Sequence, residues 1–235
     1  MDTSLLLKSI IIPFYVNVQC NELGHDSKQH CFDSTHYKKF GPVSYQFNEL
    51  GYRTRSTSQF TGNEILAIGD SFTLGLGVNV GQRWTEYLES NINYPVLNFS
   101  LNGASNDWIA RRTKELLEHF TPRAVILHYS FSHRREHHDI TWHDNERTLC
   151  DPGPTDAENF DNWHENFKKI NQCCGNIPVV HSFIPNWHIT AVDYHKYGNN
   201  VLEPVIPVDR ARDAFHYGAN THKNLADKIT NLLVL

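Results

Sequence analysis

Four short apolar runs recur along the chain, and the stretches between them carry apolar residues at helical spacing. The first run is Ile65-Leu66-Ala67-Ile68, closed by Gly69-Asp70-Ser71. The others are Pro95-Val96-Leu97-Asn98, Ala124 to Leu127, and Pro178 to Phe183. Short apolar runs bounded by turn residues read as buried strands. After the first strand, Trp84, Tyr87 and Leu88 mark the inner face of a helix over Trp84 to Leu88. After the second, polar cap residues at 102–107 start a helix that buries Trp108, Ile109, Leu116, Leu117 and Phe120 and stops at Pro122. Asp156 to Ile170 and Asn220 to Val234 are the remaining helices, with Phe160, Trp163, Phe167 and Ile170, then Leu225, Ile229, Leu232 and Leu233, inward. A short last strand is expected near Val205 to Val208. Strands that alternate with helices predict an α/β fold, a parallel sheet with helices on both faces. Residues before Gly62 do not share this rhythm. Val16 and Val18 alternate with Asn17 and Gln19 and suggest an extended segment, and polar Cys20 to Phe40 reads as loop. The expected organisation is an N-terminal extension, 1–61, packed on a domain at 62–235.

Ser71 follows a buried strand on a tight turn, which exposes it at the sheet edge where open α/β sheets place ligands. A helix beginning at Phe72 would aim its free N–H groups at the serine oxygen and hold the charge that develops when a hydroxyl attacks an ester carbonyl. The competing reading is a serine that caps the helix. A second feature lies near the other end of the chain, in Asp213-Ala214-Phe215-His216. Residues three apart can face one side. A carboxylate there can fix the tautomer of His216 and leave the other ring nitrogen as a base for Ser71. Asp213 suits that role by spacing, and Asp209 is the fallback.

With these residues in view the chain resembles the SGNH hydrolases, also called GDSL esterases and lipases. The resemblance rests on Gly69-Asp70-Ser71-Phe72-Thr73-Leu74-Gly75, on Asn98-Phe99-Ser100-Leu101-Asn102-Gly103-Ala104-Ser105, and on Asp213-Ala214-Phe215-His216. It implies a three-layer α/β/α sandwich with a mostly parallel, flavodoxin-like sheet. It implies a serine esterase in which Ser71, His216 and Asp213 are catalytic and the N–H groups of Ser71 and Gly103 form an oxyanion hole. The expected substrate is a carboxylic ester, with an O-acyl group on a carbohydrate or lipid among the candidates. The third family block departs from pattern. Its usual Gly-x-Asn-Asp is not evident in the corresponding stretch, Leu127-His128-Tyr129-Ser130-Phe131-Ser132-His133, where the hydroxyl or N–H of Ser130 or Ser132 is the candidate stand-in for the missing asparagine donor, Ser130 first. Two other readings use the same residues: a binding protein that keeps the fold without turnover, and an O-acyltransferase.

Composition narrows the classes. A formal charge of −5 gives no reason to expect nucleic acid as partner. No apolar run approaches the roughly 18 residues of a membrane-crossing helix. Five cysteines, mostly far apart, argue against a disulfide framework and favour a cytoplasmic setting. Histidines cluster between His128 and His143, where His133 and His137 could share a helix face, and Cys20, His25, His30 and Cys31 form a second group. Neither has the spacing of a standard zinc site, so no metal and no cofactor is expected. His181 reads as a core-rim histidine, and Arg53 as a structural anchor that reaches a carboxylate or a backbone carbonyl.

Overall fold

Why each apolar run is continuous rather than alternating follows from the layers around it. The computed structural model describes residues 7–58, 60–136, 148–149, 155–184 and 194–233. Strands β1 (Ile65–Gly69), β2 (Val96–Ser100), β3 (Ala124–Tyr129) and β4 (Val179–Phe183) form one parallel sheet in the order β2-β1-β3-β4. That is the flavodoxin-like order without its fifth strand. Every residue of all four strands is buried, because both faces are covered.

Alternate residues feed two cores. Ile65, Ala67, Val96, Ala124, Ile126 and Val180 meet helix α1 (Trp84–Ile92) and the last helix through Trp84, Leu88, Leu225 and Ile229. Leu66, Ile68, Leu97, Phe99, Val125 and Leu127 face the opposite side. There they meet α2 (Asn106–His119) and α3 (Asp156–Cys174) through Trp108, Ile109, Leu116, Trp163 and Ile170. The last helix, α4 (Ala219–Leu232), packs along α1. The period of two along each strand thus sorts side chains between layers.

Two expectations are corrected. The last strand at Val205 to Val208 does not form. The chain there is tied to β4 by an isolated parallel bridge between His181 and Val201, by backbone bonds from His181 N to Asn200 O, Leu202 N to His181 O and Val205 N to Phe183 O, and by the Asn200 amide to Val179 O. Pro204 and Pro207 have no N–H to continue a ladder. The extended segment near Val16 shrinks to Gln19–Cys20, paired antiparallel with Tyr45–Gln46, after a turn at Pro13–Tyr15 and a left-handed Asn17 (φ 54°). Within Cys20 to Phe40 a short helix, Ser34–Tyr37, is capped by the Asp33 side chain.

The segment before residue 59 is not a detached arm. Ile10, Ile12, Leu50 and Tyr52 belong to the core beneath α2, and Tyr52 donates its hydroxyl hydrogen to Ile10 O. Val43, Tyr45 and Phe47 pack on Leu74 and Leu76, just beyond Ser71. No helix among the described residues is long and apolar enough to cross a membrane.

Candidate active site

The carboxyl ends of β1 and β3 flank the point where the strand order reverses, and the site is built there. A Cβ on Gly69 would collide with the Thr73 hydroxyl and stand 2.9 Å from His128 O, so the turn after β1 closes only on glycine. Asp70 then caps a single helical turn, Ser71–Leu74, and its Oδ1 accepts from Phe72 N at 3.0 Å. Asp70, not Ser71, is therefore the cap. The Ser71 hydroxyl is left for His216, whose Nε2 lies 2.8 Å from Ser71 Oγ.

The Asp213 loop is wound tightly. Ala214 takes a left-handed conformation, φ 67°, which a residue with a Cβ rarely adopts. This turn lets Asp213 Oδ1 accept from Phe215 N and His216 N, both at 3.0 Å, while Oδ2 hydrogen-bonds His216 Nδ1. Burial alone would push the Asp213 carboxyl up. The hydrogen bond and charge of His216, with the two N–H donors, outweigh it and hold the carboxyl below its ordinary value. The fallback residue, Asp209, does other work. Its carboxylate accepts from Asn220 N, Thr221 N and Thr221 Oγ1 at 2.7–3.0 Å and caps α4.

The turn that carries Ser71 is anchored from the N-terminal segment. Arg53 is 1 % exposed and donates to the carbonyls of Ser44, Leu74, Gly75 and Val78 at 2.6–3.2 Å. Arg212, next to Asp213, is gripped by buried Asp26 through two bonds of 2.7 Å. Tyr45 donates to the same carboxylate and accepts from Gly77 N at 2.8 Å. Phe32 N donates to Asp213 O, and the Phe32 ring stacks on Phe215 at 4.8 Å.

Ser71, Gly103 and His216 line one cleft of about 560 Å³. Gly103 sits after β2 with φ 72°. Neither its N–H nor that of Ser71 donates to another group among the described residues. Ser130 stands beneath this wall and is 1 % exposed. Its hydroxyl donates to Asp70 Oδ2 at 2.7 Å, and its N–H donates to Asn106 Oδ1 at 2.8 Å. The remaining lining came from residues to which sequence reasoning gave no role in this cleft: Gly24, His25, His30 and Phe32 on one side, with Asn102, Arg134 and Phe215. Asn102 adjoins Gly103 in sequence, which was a usable signal. Arg134 follows β3 by five residues and carried none.

His181 points away, its Nδ1 3.0 Å from Tyr129 Oη, and His128 Nδ1 pairs with Ser182 Oγ at 2.8 Å. Burial pushes both imidazoles down to about 3. Among the described residues no group of three or more histidine, cysteine or carboxylate side chains is arranged to hold a metal ion. His137, His138 and His143 of the histidine cluster lie outside the described residues.

No family model and no curated protein matches the chain. Solved structures do. A family two carbohydrate esterase from Clostridium thermocellum, solved in complex with cellohexaose, matches with a TM-score of 0.51 and 12% identity. The match covers 80% of this chain and 66% of that one. A member of the lipolytic protein G-D-S-L family from Veillonella parvula DSM 2008 gives 0.48 and 13%, over 72% of this chain and 97% of that one. The psychrotrophic esterase EstA from Pseudoalteromonas sp. gives 0.48 and 16%, over 72% and 95%. At such identities the likeness speaks to architecture, and the chain has the three-layer α/β/α fold of the SGNH hydrolases.

Proposed function

We propose that this chain is a serine hydrolase of carboxylic esters. The observation that carries the reading is the continuous line from Ser71 Oγ to His216 Nε2, 2.8 Å, and from His216 Nδ1 to the Asp213 carboxylate. A base within hydrogen-bond reach of the nucleophile, itself oriented by a third group, is the arrangement that activates a hydroxyl. Ser71 Oγ attacks the ester carbonyl as His216 takes its proton. The tetrahedral oxyanion is met by the N–H groups of Ser71 and Gly103, which have no competing acceptor among the described residues. His216 then delivers the proton to the leaving alcohol, and water repeats the sequence on the acyl-enzyme. Ser130 supports the site from below, by holding the Asp70 carboxylate that caps the Ser71 turn. The residues given roles are all on this chain, and none of the steps calls on a cofactor. An O-acyl group on a carbohydrate or lipid falls within the substrate class.

Labelling with a fluorophosphonate probe tests the reading. The wild type is expected to label and to hydrolyse 4-nitrophenyl acetate, and Ser71→Ala to do neither. A folded wild type that fails at both is a binding protein. Turnover that needs an added alcohol acceptor identifies an acyltransferase.

A further inference from the structure

The cleft beside Ser71 has an unusual charge distribution for this chain. The protein carries a formal net charge of −5, yet no carboxylate lines this cleft among the described residues. Its polar wall is the guanidinium of Arg134, the imidazoles of His25, His30 and His216, the Asn102 amide and the Ser71 hydroxyl. Arg134 is held from one edge only. Its Nη1 donates to Ser130 Oγ at 3.0 Å, Asp70 Oδ2 at 3.3 Å and Ala104 O at 3.5 Å. Its Nη2 and Nε make no hydrogen bond among the described residues, and its side chain is 21% exposed, on the cleft side. Asp70, which offsets part of the charge, is wholly buried below the turn and does not line the cleft. The ring of Phe131 backs the guanidinium, its centroid 4.8 Å from Cζ, and limits where it can turn. Across the cleft, His25 and His30 each commit Nδ1 to the N-terminal segment, to His30 O and Ser27 Oγ, and leave Nε2 without a partner among the described residues.

A guanidinium fixed at one edge and open at the other is a planar fork for a carboxylate. Placed in a partly enclosed cleft whose lining holds no acid, with Asp70 engaged only on its other edge, it favours an anion there more than a solvated arginine would. We propose that the substrate is an ester that also carries a carboxylate, and that Arg134 binds this carboxylate while Ser71 attacks the ester, with His25 and His30 as the polar wall opposite. The proposal deepens the esterase reading and rests on it for turnover. Arg134 is a substrate-binding group in this scheme, and the chemistry stays with Ser71 and His216.

Two matched substrate pairs test it. On the acyl side, mono-4-nitrophenyl adipate is compared with 4-nitrophenyl hexanoate. On the alcohol side, 4-acetoxybenzoate is compared with phenyl acetate. The wild type is expected to favour the anionic member of at least one pair by about tenfold or more in kcat/KM, the scale of a charge-assisted hydrogen bond. Arg134→Gln is expected to erase that preference, and Arg134→Lys to restore part of it. His30→Ala, on the opposite wall, does not touch the Asp70 turn, and the same ratio is expected to fall in it if Arg134→Gln proves unfolded by circular dichroism. Binding is read without turnover by calorimetry of adipate and of 4-hydroxybenzoate on Ser71→Ala. Saturable binding there, absent from Ser71→Ala/Arg134→Gln, supports the carboxylate site even if no ester is ever cleaved. Equal rates within both pairs, with no binding of either carboxylate to Ser71→Ala, overturn the proposal while leaving a neutral-ester hydrolase intact.

Discussion

At the scale of single residues, the site depends on which ring nitrogen of His216 carries the proton. Asp213 accepts from Nδ1, so Nε2 faces Ser71 as an acceptor. Asp213→Asn would present an amide that can donate to Nδ1 and turn the tautomer around. Turnover of 4-nitrophenyl acetate is expected to fall by roughly 10⁴-fold, with the fold unchanged by circular dichroism. The spacing of Asp213 and His216 was readable in the sequence, because residues three apart can meet. How they meet was not. The strained Ala214 that folds the carboxylate back under two N–H groups leaves no mark in an Asp-Ala-Phe-His string. Arg53 shows the same division. That it would anchor something was legible; that it would gather three carbonyls from the turn beyond Ser71 and a fourth from Ser44 needed coordinates.

At the scale of elements, the sheet was the easiest part to read. Strands covered on both faces are largely apolar, and four such runs stand out against a polar chain, with their polar members, such as Asn98, His128 and His181, between mid-strand and the carboxyl end. Pro204 and Pro207 defeated the fifth, since composition near Val205 favours a strand and the missing N–H groups forbid one. Helix ends were read less well: α1 and α3 continue to Ile92 and Cys174, past the Leu88 and Ile170 that periodicity marks, whereas α4 stops at Leu232, short of Val234. The turn and the Asp213 loop are positioned by two buried cations, and each gives a prediction. Arg53→Ala leaves carbonyls buried without donors and is expected to cost about 2 kcal/mol or more in urea unfolding, with little rescue by lysine, whose single ammonium cannot span them. Asp26→Asn strands the Arg212 guanidinium beside Asp213, and removal of one partner of a buried pair costs about 3–5 kcal/mol. The double change Asp26→Asn/Arg212→Met is expected to be less damaging than the single one, by the same unfolding assay.

At the scale of the whole molecule, three buried histidines outside the site, His128, His181 and His222, are held as neutral rings. Burial holds His128 and His181 at about 3 and His222 well below the ordinary 6.5. An unfolded chain would take up protons on these rings below 6.5, and the native one would not. Their contribution is therefore complete above 6.5 and is lost as pH falls below it, for His128 and His181 down to about 3. The loss approaches about 1.4 kcal/mol per pH unit for each ring in that window. Asp213, held below its ordinary 3.8, adds a loss in the same direction at still lower pH. Urea midpoints measured at pH 7, 6 and 5 are expected to fall steadily, and His181→Gln, which removes one of the titrating rings, to flatten the trend. Periodicity could mark these residues as strand and helix positions. It could not mark them as sealed from solvent, because a histidine at a sheet rim and one in a core look alike in sequence.

The first sixty residues lack any repeating apolar pattern, yet Gly24, His25, His30 and Phe32 form a side of the cleft and Asp26 clamps the loop that bears His216. Cutting the chain back to its sandwich would thus strip one side of the mouth through which an ester enters and, with the loss of Ile10, Ile12, Leu50 and Tyr52, uncover the core beneath the sheet. Substitution at His25, His30 or Phe32, far from the nucleophile in sequence, therefore reshapes what the cleft admits without touching the four strands that carry Ser71.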